Sequence, residues 1–236
     1  MRELNQTLTG ALLDPILARD PAGPRITYYD DALGARIELS ALTLANWAAK
    51  TANMIRDEFG VQPGGRVAVL LPAHWQTAAV LLGCWWAGTE VVLRPDPTAE
   101  MAFTAADRVD DAADIPEVAV LSLDPMGGPA RDLPVGVVDY ATSVRVHPDQ
   151  FHPTTTGPAL EGASVQEVLT QARASAKSQS FTEDSRVLST TPWTTPQLLT
   201  EDLLAIYAAG ASLVQVTNPT PNPHRLHTEH ITHTRP

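Results

Sequence analysis

Apolar positions are densest between Val61 and Pro97, VQPGGRVAVLLPAHWQTAAVLLGCWWAGTEVVLRPDP. A Pro-Gly-Gly turn leads into an apolar run, Arg66 to Leu71, which Pro72 ends. A segment of Trp, Ala and Leu follows, then Gly88, then a second apolar run, Glu90 to Arg94. The pattern predicts strand, helix, strand, at about the shortest length that lets a right-handed crossover join two parallel strands. Both runs are almost wholly apolar, as expected of strands covered on both sheet faces.

The flanking pattern extends this picture. Leu8, Leu12, Leu13, Ile16 and Leu17 predict a short amphipathic helix over Leu4 to Leu17. Arg25–Tyr29 and Ala35–Leu39 are β-prone runs joined by Asp30, Asp31 and Gly34, a hairpin signal. Leu44, Trp47, Ala48, Thr51, Ile55 and Phe59 recur at helical spacing between an N-cap at Ser40 and a glycine stop at Gly60. Further on, Thr104–Ala113 reads as a helix, and Glu117–Ser122 and Val135–Tyr140 as strands. Arg145–Gly162 lacks any period and reads as an irregular connection. Ser164 and Glu167 have capping-box spacing and open a helix towards Ser178. Arg186–Ser189 reads as a strand, Leu198–Ala209 as a helix stopped by Gly210, and Ser212–Val216 as the last strand. The Pro- and His-rich stretch 217–236 reads as a flexible tail. The expected fold is α/β: one largely parallel sheet with helices on both faces. It forms a single domain over 1–216, with sub-lobes 1–144 and 163–216.

Composition narrows the function classes. The 236 residues carry 16 Lys and Arg against 27 Asp and Glu, a net charge of -11, and no basic patch stands out, which argues against nucleic acid. The lone Cys84 sits in the apolar helix and reads as a small buried hydrophobe, so no disulfide framework is expected. No run reaches membrane-spanning length, and Met1 to Asp20 lacks the apolar core of a signal peptide. The expectation is a cytoplasmic protein with no membrane partner.

Several motifs carry a family likeness. Ile26-Thr27-Tyr28 precedes an amphipathic helix. Gly60-Val61-Gln62-Pro63-Gly64-Gly65-Arg66-Val67-Ala68-Val69-Leu70-Leu71-Pro72 and Trp86-Ala87-Gly88-Thr89 follow in order. These resemble the N-terminal part of the adenylate-forming superfamily, which includes acyl-CoA synthetases and peptide-synthetase adenylation domains. There the pattern reads G-V-x-x-G-D-R-V-A-I-L-x-P-N and K-A-G-A. Arg186-Val187-Leu188, Pro192-Trp193 and Ala209-Gly210-Ala211-Ser212-Leu213-Val214 resemble the part that follows the superfamily's phosphate loop. The whole chain is similar to a group of short actinobacterial proteins distantly related to AMP-binding enzymes.

The resemblance implies an ATP or AMP site built on a loop like T-S-G-T-T-G-x-P-K-G. The counterpart is His152-Pro153-Thr154-Thr155-Thr156-Gly157-Pro158-Ala159-Leu160, a degenerate phosphate loop with candidate residues Thr154, Thr155, Thr156 and Gly157. Thr154 stands where the first glycine belongs and Leu160 where the lysine belongs. Pro153 and Pro158 remove two amide donors. The likeness stops before the family's aromatic-Gly-x-Thr-Glu segment, ribose-binding aspartate and C-terminal lysine. No catalytic residue is assigned, and activity as an acyl-adenylate ligase by this chain alone is not expected. His224, His227, His230 and His233 recur every third residue and would share one side of an extended chain, giving adventitious affinity for a transition metal. The leading reading is a diverged, non-catalytic homologue that retains weak nucleotide or acyl binding. A second is a self-associating homo-oligomeric module using Trp85, Trp86 and Trp193. A third places relocated chemistry at the Thr154–Gly157 loop and His152.

Overall fold

The computed structural model describes residues 6–236. The first helix, α1 (Leu8–Arg19), is capped by Thr7, whose hydroxyl accepts from the Gly10 amide. The first two residues of the predicted helix, 4 and 5, lie outside the described residues. Strands β1 (Pro24–Asp30) and β2 (Ala35–Ser40) form the antiparallel hairpin, and α2 (Ala41–Asn53) follows Ser40, which caps it. A π-turn over Met54–Glu58 extends α2 to the stop at Gly60, where φ is +70°. Next come β3 (Arg66–Leu70), α3 (Trp75–Ala87) and β4 (Glu90–Val92). Gly88 ends α3 in the left-handed region, at φ 80°.

The following stretch departs from the expected helix. Met101–Ala105 is a fully buried strand, β5, and only Ala106–Ala112 is helical, as a 3-10 segment. A five-residue strand buried on both faces has no alternation to read, which is why its last two residues, Thr104 and Ala105, pass for the start of the expected helix. β6 (Glu117–Leu121), β7 (Val138–Asp139) and the one-turn α4 (Tyr140–Ser143) come next. The irregular connection then yields β8 (Pro158–Leu160), which pairs antiparallel with β9 (Ala163–Ser164). α5 (Val165–Ser178) opens with both bonds of the Ser164–Glu167 capping box. β10 (Arg186–Ser189), α6 (Pro196–Leu199), a π-turn over Thr200–Leu204, α7 (Ala205–Ala208) and β11 (Ser212–Thr217) follow.

The stretch expected to be a flexible tail is structured as well. α8 (Arg225–Thr228) crosses the outer face of β1, and β12 (His233–Arg235) pairs in parallel with β10. The proline-rich composition hid this. The segment is held by charges that meet partners far away in sequence, including Arg225 with Asp31 and Glu229 with Arg36 and Arg186.

Among the described residues the strands form two sheets, where the sequence reading expected one. A five-stranded sheet runs β12-β10-β11-β1-β2, and a seven-stranded sheet runs β7-β6-β5-β3-β4-β8-β9. Pairing is parallel except in the β1/β2 and β8/β9 hairpins. One apolar cluster joins the inner faces of both sheets to helices α1, α2, α3 and α5 and to the run from α6 to α7, with Ile26, Val67, Leu82, Trp85, Leu169 and Leu203 among its members. Alternate residues of β3 point away from it. Ala68 and Leu70 join Val92, Ala102 and Val120 in a second cluster on the other face of the seven-stranded sheet. That alternation is the period of a strand covered on both sides.

Candidate functional site

The Thr loop is held by a junction of three glycines. The amides of Gly64 and Gly157 both donate to the Gly88 carbonyl, at 2.8 and 3.1 Å. A Cβ on Gly157 would lie 2.5 Å from the Gly64 Cα, and one on Gly88 would lie 2.4 Å from the Thr155 carbonyl oxygen. Glycine is required here for close approach of three backbone segments. The consequence for chemistry is direct. The Gly157 amide serves the fold, and Pro153 and Pro158 have none to offer.

The four predicted residues divide. Thr156 and Gly157 are half-buried and line an open cleft of about 490 Å3, with Pro158, Gly162, Ser164 and Arg173. Thr154 and Thr155 are exposed and lie outside that lining. Arg173, on α5, is the one cation of the wall among the described residues, and sequence reasoning missed it. Its signal was positional: it lies two helical turns beyond Val165 on the helix that follows the loop.

The segment that leads into α5 is a two-residue turn, Glu161-Gly162, between β8 and β9. Both residues have positive φ, 45° and 85°, as a tight hairpin demands. The Glu161 amide donates to the Val91 carbonyl at 3.0 Å, and carboxylates of this chain take the next bonds. The Gly162 amide donates to Glu90 Oε1 at 2.8 Å, and the Leu93 amide donates to Glu161 Oε1 at 2.9 Å. Glu90 Oε2 in turn accepts from Arg66 Nε and Nη2, both at 3.2 Å, and Arg66 Nη1 reaches Asp96 at 3.2 Å. Arg94 lies within 3.6 Å of Asp96 and 3.5 Å of Glu161. At the helix start, the Ser164 amide donates to Glu167 Oε2 at 2.8 Å. Helix and turn amides of this kind bind anions when left open; here glutamates occupy those of Gly162 and Ser164. Those hydrogen bonds from Ser164 hold the exposed Glu167 carboxyl below the ordinary carboxylate range.

The remaining candidates do not converge on the loop. His74 caps α3: its Nδ1 accepts from the Gln76 amide at 3.1 Å, and its ring meets Tyr28 edge-on at 4.2 Å. Burial drives its pKa down to about 3, so it is neutral and unsuited to act as a base near pH 7. His147 Nε2 lies 2.8 Å from Glu58, and His152 is exposed. The tail histidines do not form a shared ridge. His227 and His230 lie 6.5 Å apart, while His233 packs edge-on against Phe181 at 5.4 Å. Among the described residues no group of three or more His, Cys, Asp or Glu is placed to hold a metal ion. Trp85 and Trp193 are core anchors rather than interface residues: each is buried, with its indole N–H donating to Ala159 O at 2.7 Å and to Asp202 Oδ2 at 2.8 Å. Cys84 is fully buried, and burial pushes its thiol pKa up, away from nucleophilic character.

No protein-family model matches the chain. A protein of Mycobacterium tuberculosis (strain ATCC 25618 / H37Rv), described as a TIGR03089 family protein, is 58% identical over 236 aligned residues, which cover 96% of this chain and 97% of that protein. The chain belongs to the TIGR03089 family. Its fold is that of the N-terminal domain of adenylate-forming enzymes. The Brucella canis acyl-CoA synthetase superposes with a TM-score of 0.79 at 15% identity, over 98% of this chain and 47% of that one. The anthranilate CoA ligase AuaEII, solved with anthranoyl-AMP, gives 0.73 at 12% identity, over 95% and 47%. Apo MatB from Rhodopseudomonas palustris gives 0.71 at 17%, over 94% and 47%. The chain therefore spans about half the length of these solved structures. For this TIGR03089 member, identities this low establish shared architecture and leave the chemistry to the residues. Among the described residues no helix is long and apolar enough to cross a membrane.

Proposed function

We propose that the chain is a diverged, non-catalytic relative of the adenylate-forming N-terminal domain, a cytoplasmic protein that retains weak affinity for a nucleotide or acyl ligand. The observation that carries this reading is the turn leading into α5. Its Gly162 amide is bonded to Glu90, and its Glu161 is bonded to the Leu93 amide and lies 3.5 Å from Arg94. A triphosphate brought to this turn would have to displace Glu90 from the Gly162 amide and Arg66, and Glu161 from Arg94. The binding part of the reading rests on the neighbouring cleft, where the Thr156 hydroxyl, the Ser164 hydroxyl and the Arg173 guanidinium share one wall.

Isothermal calorimetry of the full chain with ATP, AMP and a non-hydrolysable acyl-adenylate, beside a pyrophosphate-release assay, tests both parts. The expected result is no turnover, and a dissociation constant on the order of 0.1–1 mM for AMP or the acyl-adenylate, equivalent to about 4–5 kcal/mol. Arg173→Gln weakens that binding several-fold. Measurable adenylation by the purified chain refutes the non-catalytic part, and absence of saturable binding to all three refutes the ligand part.

A further inference from the structure

A second cleft lies at the end of the five-stranded sheet where the parallel strands β1, β10 and β11 begin. It has a volume of about 590 Å3, and Arg25, Ser185, Ser212, Arg186, Arg19 and Glu38 are among its lining residues. Arg25 immediately precedes Ile26, whose register partner is Leu213, which places it level with Ser212. Ligands of open α/β sheets gather at the carboxyl ends of strands. This cleft lies at the amino ends instead, and it shares no lining residue with the cleft beside Thr156 and Gly157.

Arg25 is the anomaly in the cleft. It is 3% exposed. Among the described residues its hydrogen bonds all leave from Nη1, to the carbonyls of Gly210 at 2.7 Å and Ala211 at 2.6 Å. Its Nε is buried without a partner. The other three arginines of the lining each hold carboxylates. Arg19 pairs with Glu183, Arg36 with Glu38 and Glu229, and Arg186 with the same two glutamates. No carboxylate among the described residues lies within ion-pair distance of Arg25. Asp20 acts on Arg25 only from beyond ion-pair distance, with its Oδ1 accepting from the Gly23 amide, and Asp184 is exposed at the rim. A guanidinium buried without a counterion is costly, and natural proteins pair such groups. Its unused edge is a planar fork that matches two oxygens of an oxyanion.

We propose that this cleft is an anion site, in which a small organic acid docks a carboxylate or phosphate monoanion on the free edge of Arg25. The volume falls in the range of small-molecule pockets and leaves room for a body beyond the charged group. Desolvation rises with the square of a group's charge while attraction to the single guanidinium rises only linearly, so at a buried Arg25 a singly charged group is the better match.

Calorimetry at fixed ionic strength with acetate, inorganic phosphate and benzoate, with benzamide as the neutral control, tests the site. The expected result is saturable binding of at least one anion, with a dissociation constant at or below about 10 mM, and none of benzamide. Acetate and benzoate report a carboxylate ligand; phosphate binding that strengthens from pH 8 to pH 6, as the monoanion becomes populated, reports a phosphate monoanion. Ser212→Asp leaves Arg25 in place and adds a carboxylate at its level; it should weaken binding at least tenfold, as should Arg25→Gln. Unchanged circular dichroism shows that each variant is folded. Arg173→Gln, which lines the other cleft, should leave anion binding here unmoved. Failure of every anion to bind, equal binding of benzamide, or anion binding indifferent to Ser212→Asp overturns the proposal.

Discussion

In the β3–α3–β4 crossover every residue of α3 except Trp86 is buried, and the contacts are apolar side chains and close backbone approaches. On the outer face of the five-stranded sheet the contacts are charges. Glu229, its side chain 6% exposed, accepts from Tyr29, Arg36 and Arg186, and Glu38 accepts from Arg36, Arg186 and Thr27. The first region depends on volume and is indifferent to moderate pH. The second depends on ionisation, and its side chains reach partners across intervals of 43, 148 and 193 residues. A protein joined in these two ways should lose its two sheets' support under different conditions.

The largest expected effect comes from emptying the dry region. Trp85→Ala removes a side chain that is 2% exposed and its indole hydrogen bond to Ala159 in β8. The expected cost is about 3–5 kcal/mol, the range for aromatic truncation in a packed core. Urea unfolding should show that loss equally at pH 7 and pH 5. A cost under about 1 kcal/mol would mean that the crossover is not the support its burial suggests.

The ionic face gives the next effect and should behave in the opposite way. Burial opposes ionisation of Glu229, but hydrogen bonds from Arg36, Tyr29 and Arg186 outweigh it and hold the carboxyl down at about 2. A depressed carboxylate pKa contributes stability above the unfolded value, near 4.5, and that stability is lost as pH falls from there to about 2. The interval corresponds to roughly 3 kcal/mol. Glu229→Gln should therefore cost about that much at pH 7, where it also leaves Arg36 and Arg186 without their shared partner, and progressively less as pH falls below 4.5. A cost independent of pH would show that the carboxylate's charge is not what holds α8 on the sheet.

The same contrast governs what could be read from the chain. The β1/β2 hairpin, the Ser164–Glu167 capping box and the strand–helix–strand crossover were all legible, because each is specified by residues within a few positions of one another. β5, β8 and β12 were not. Each is a short strand whose state depends on distant partners: β5 on β3 and β6, β8 on β4, β12 on β10. The division into two sheets was hidden for the same reason. At the candidate site, hydroxyls and a glycine in the order Thr154-Thr155-Thr156-Gly157 were visible. The use of the Gly157 amide by Gly88, and of the Gly162 amide by Glu90, depends on backbone placement that no local pattern encodes.

One residue tests whether the dry region is wholly indifferent to pH, and its effect at pH 7 should be the smallest of the three. His74 caps α3 through Nδ1, so its proton sits on Nε2, which is buried and without a partner among the described residues. Burial depresses its pKa from 6.5 to about 3. The folded chain then holds the ring neutral while the unfolded chain protonates it below pH 6.5, so stability falls as pH drops through the window from 6.5 to 3. The slope from this one group approaches about 1.4 kcal/mol per pH unit. Between pH 6.5 and 4.5 His74 titrates in the unfolded chain while Glu229 does not yet contribute, so the two groups separate along the pH axis. His74→Asn keeps an N-cap acceptor and should change stability at pH 7 by less than about 1 kcal/mol. It should also flatten the decline between pH 6.5 and 4.5, while leaving the steeper loss below 4.5 that belongs to Glu229. If the variant and the parent chain lose stability in parallel across that upper window, His74 is accessible to protons in the folded state and the seam between the sheets is wetter than its packing indicates.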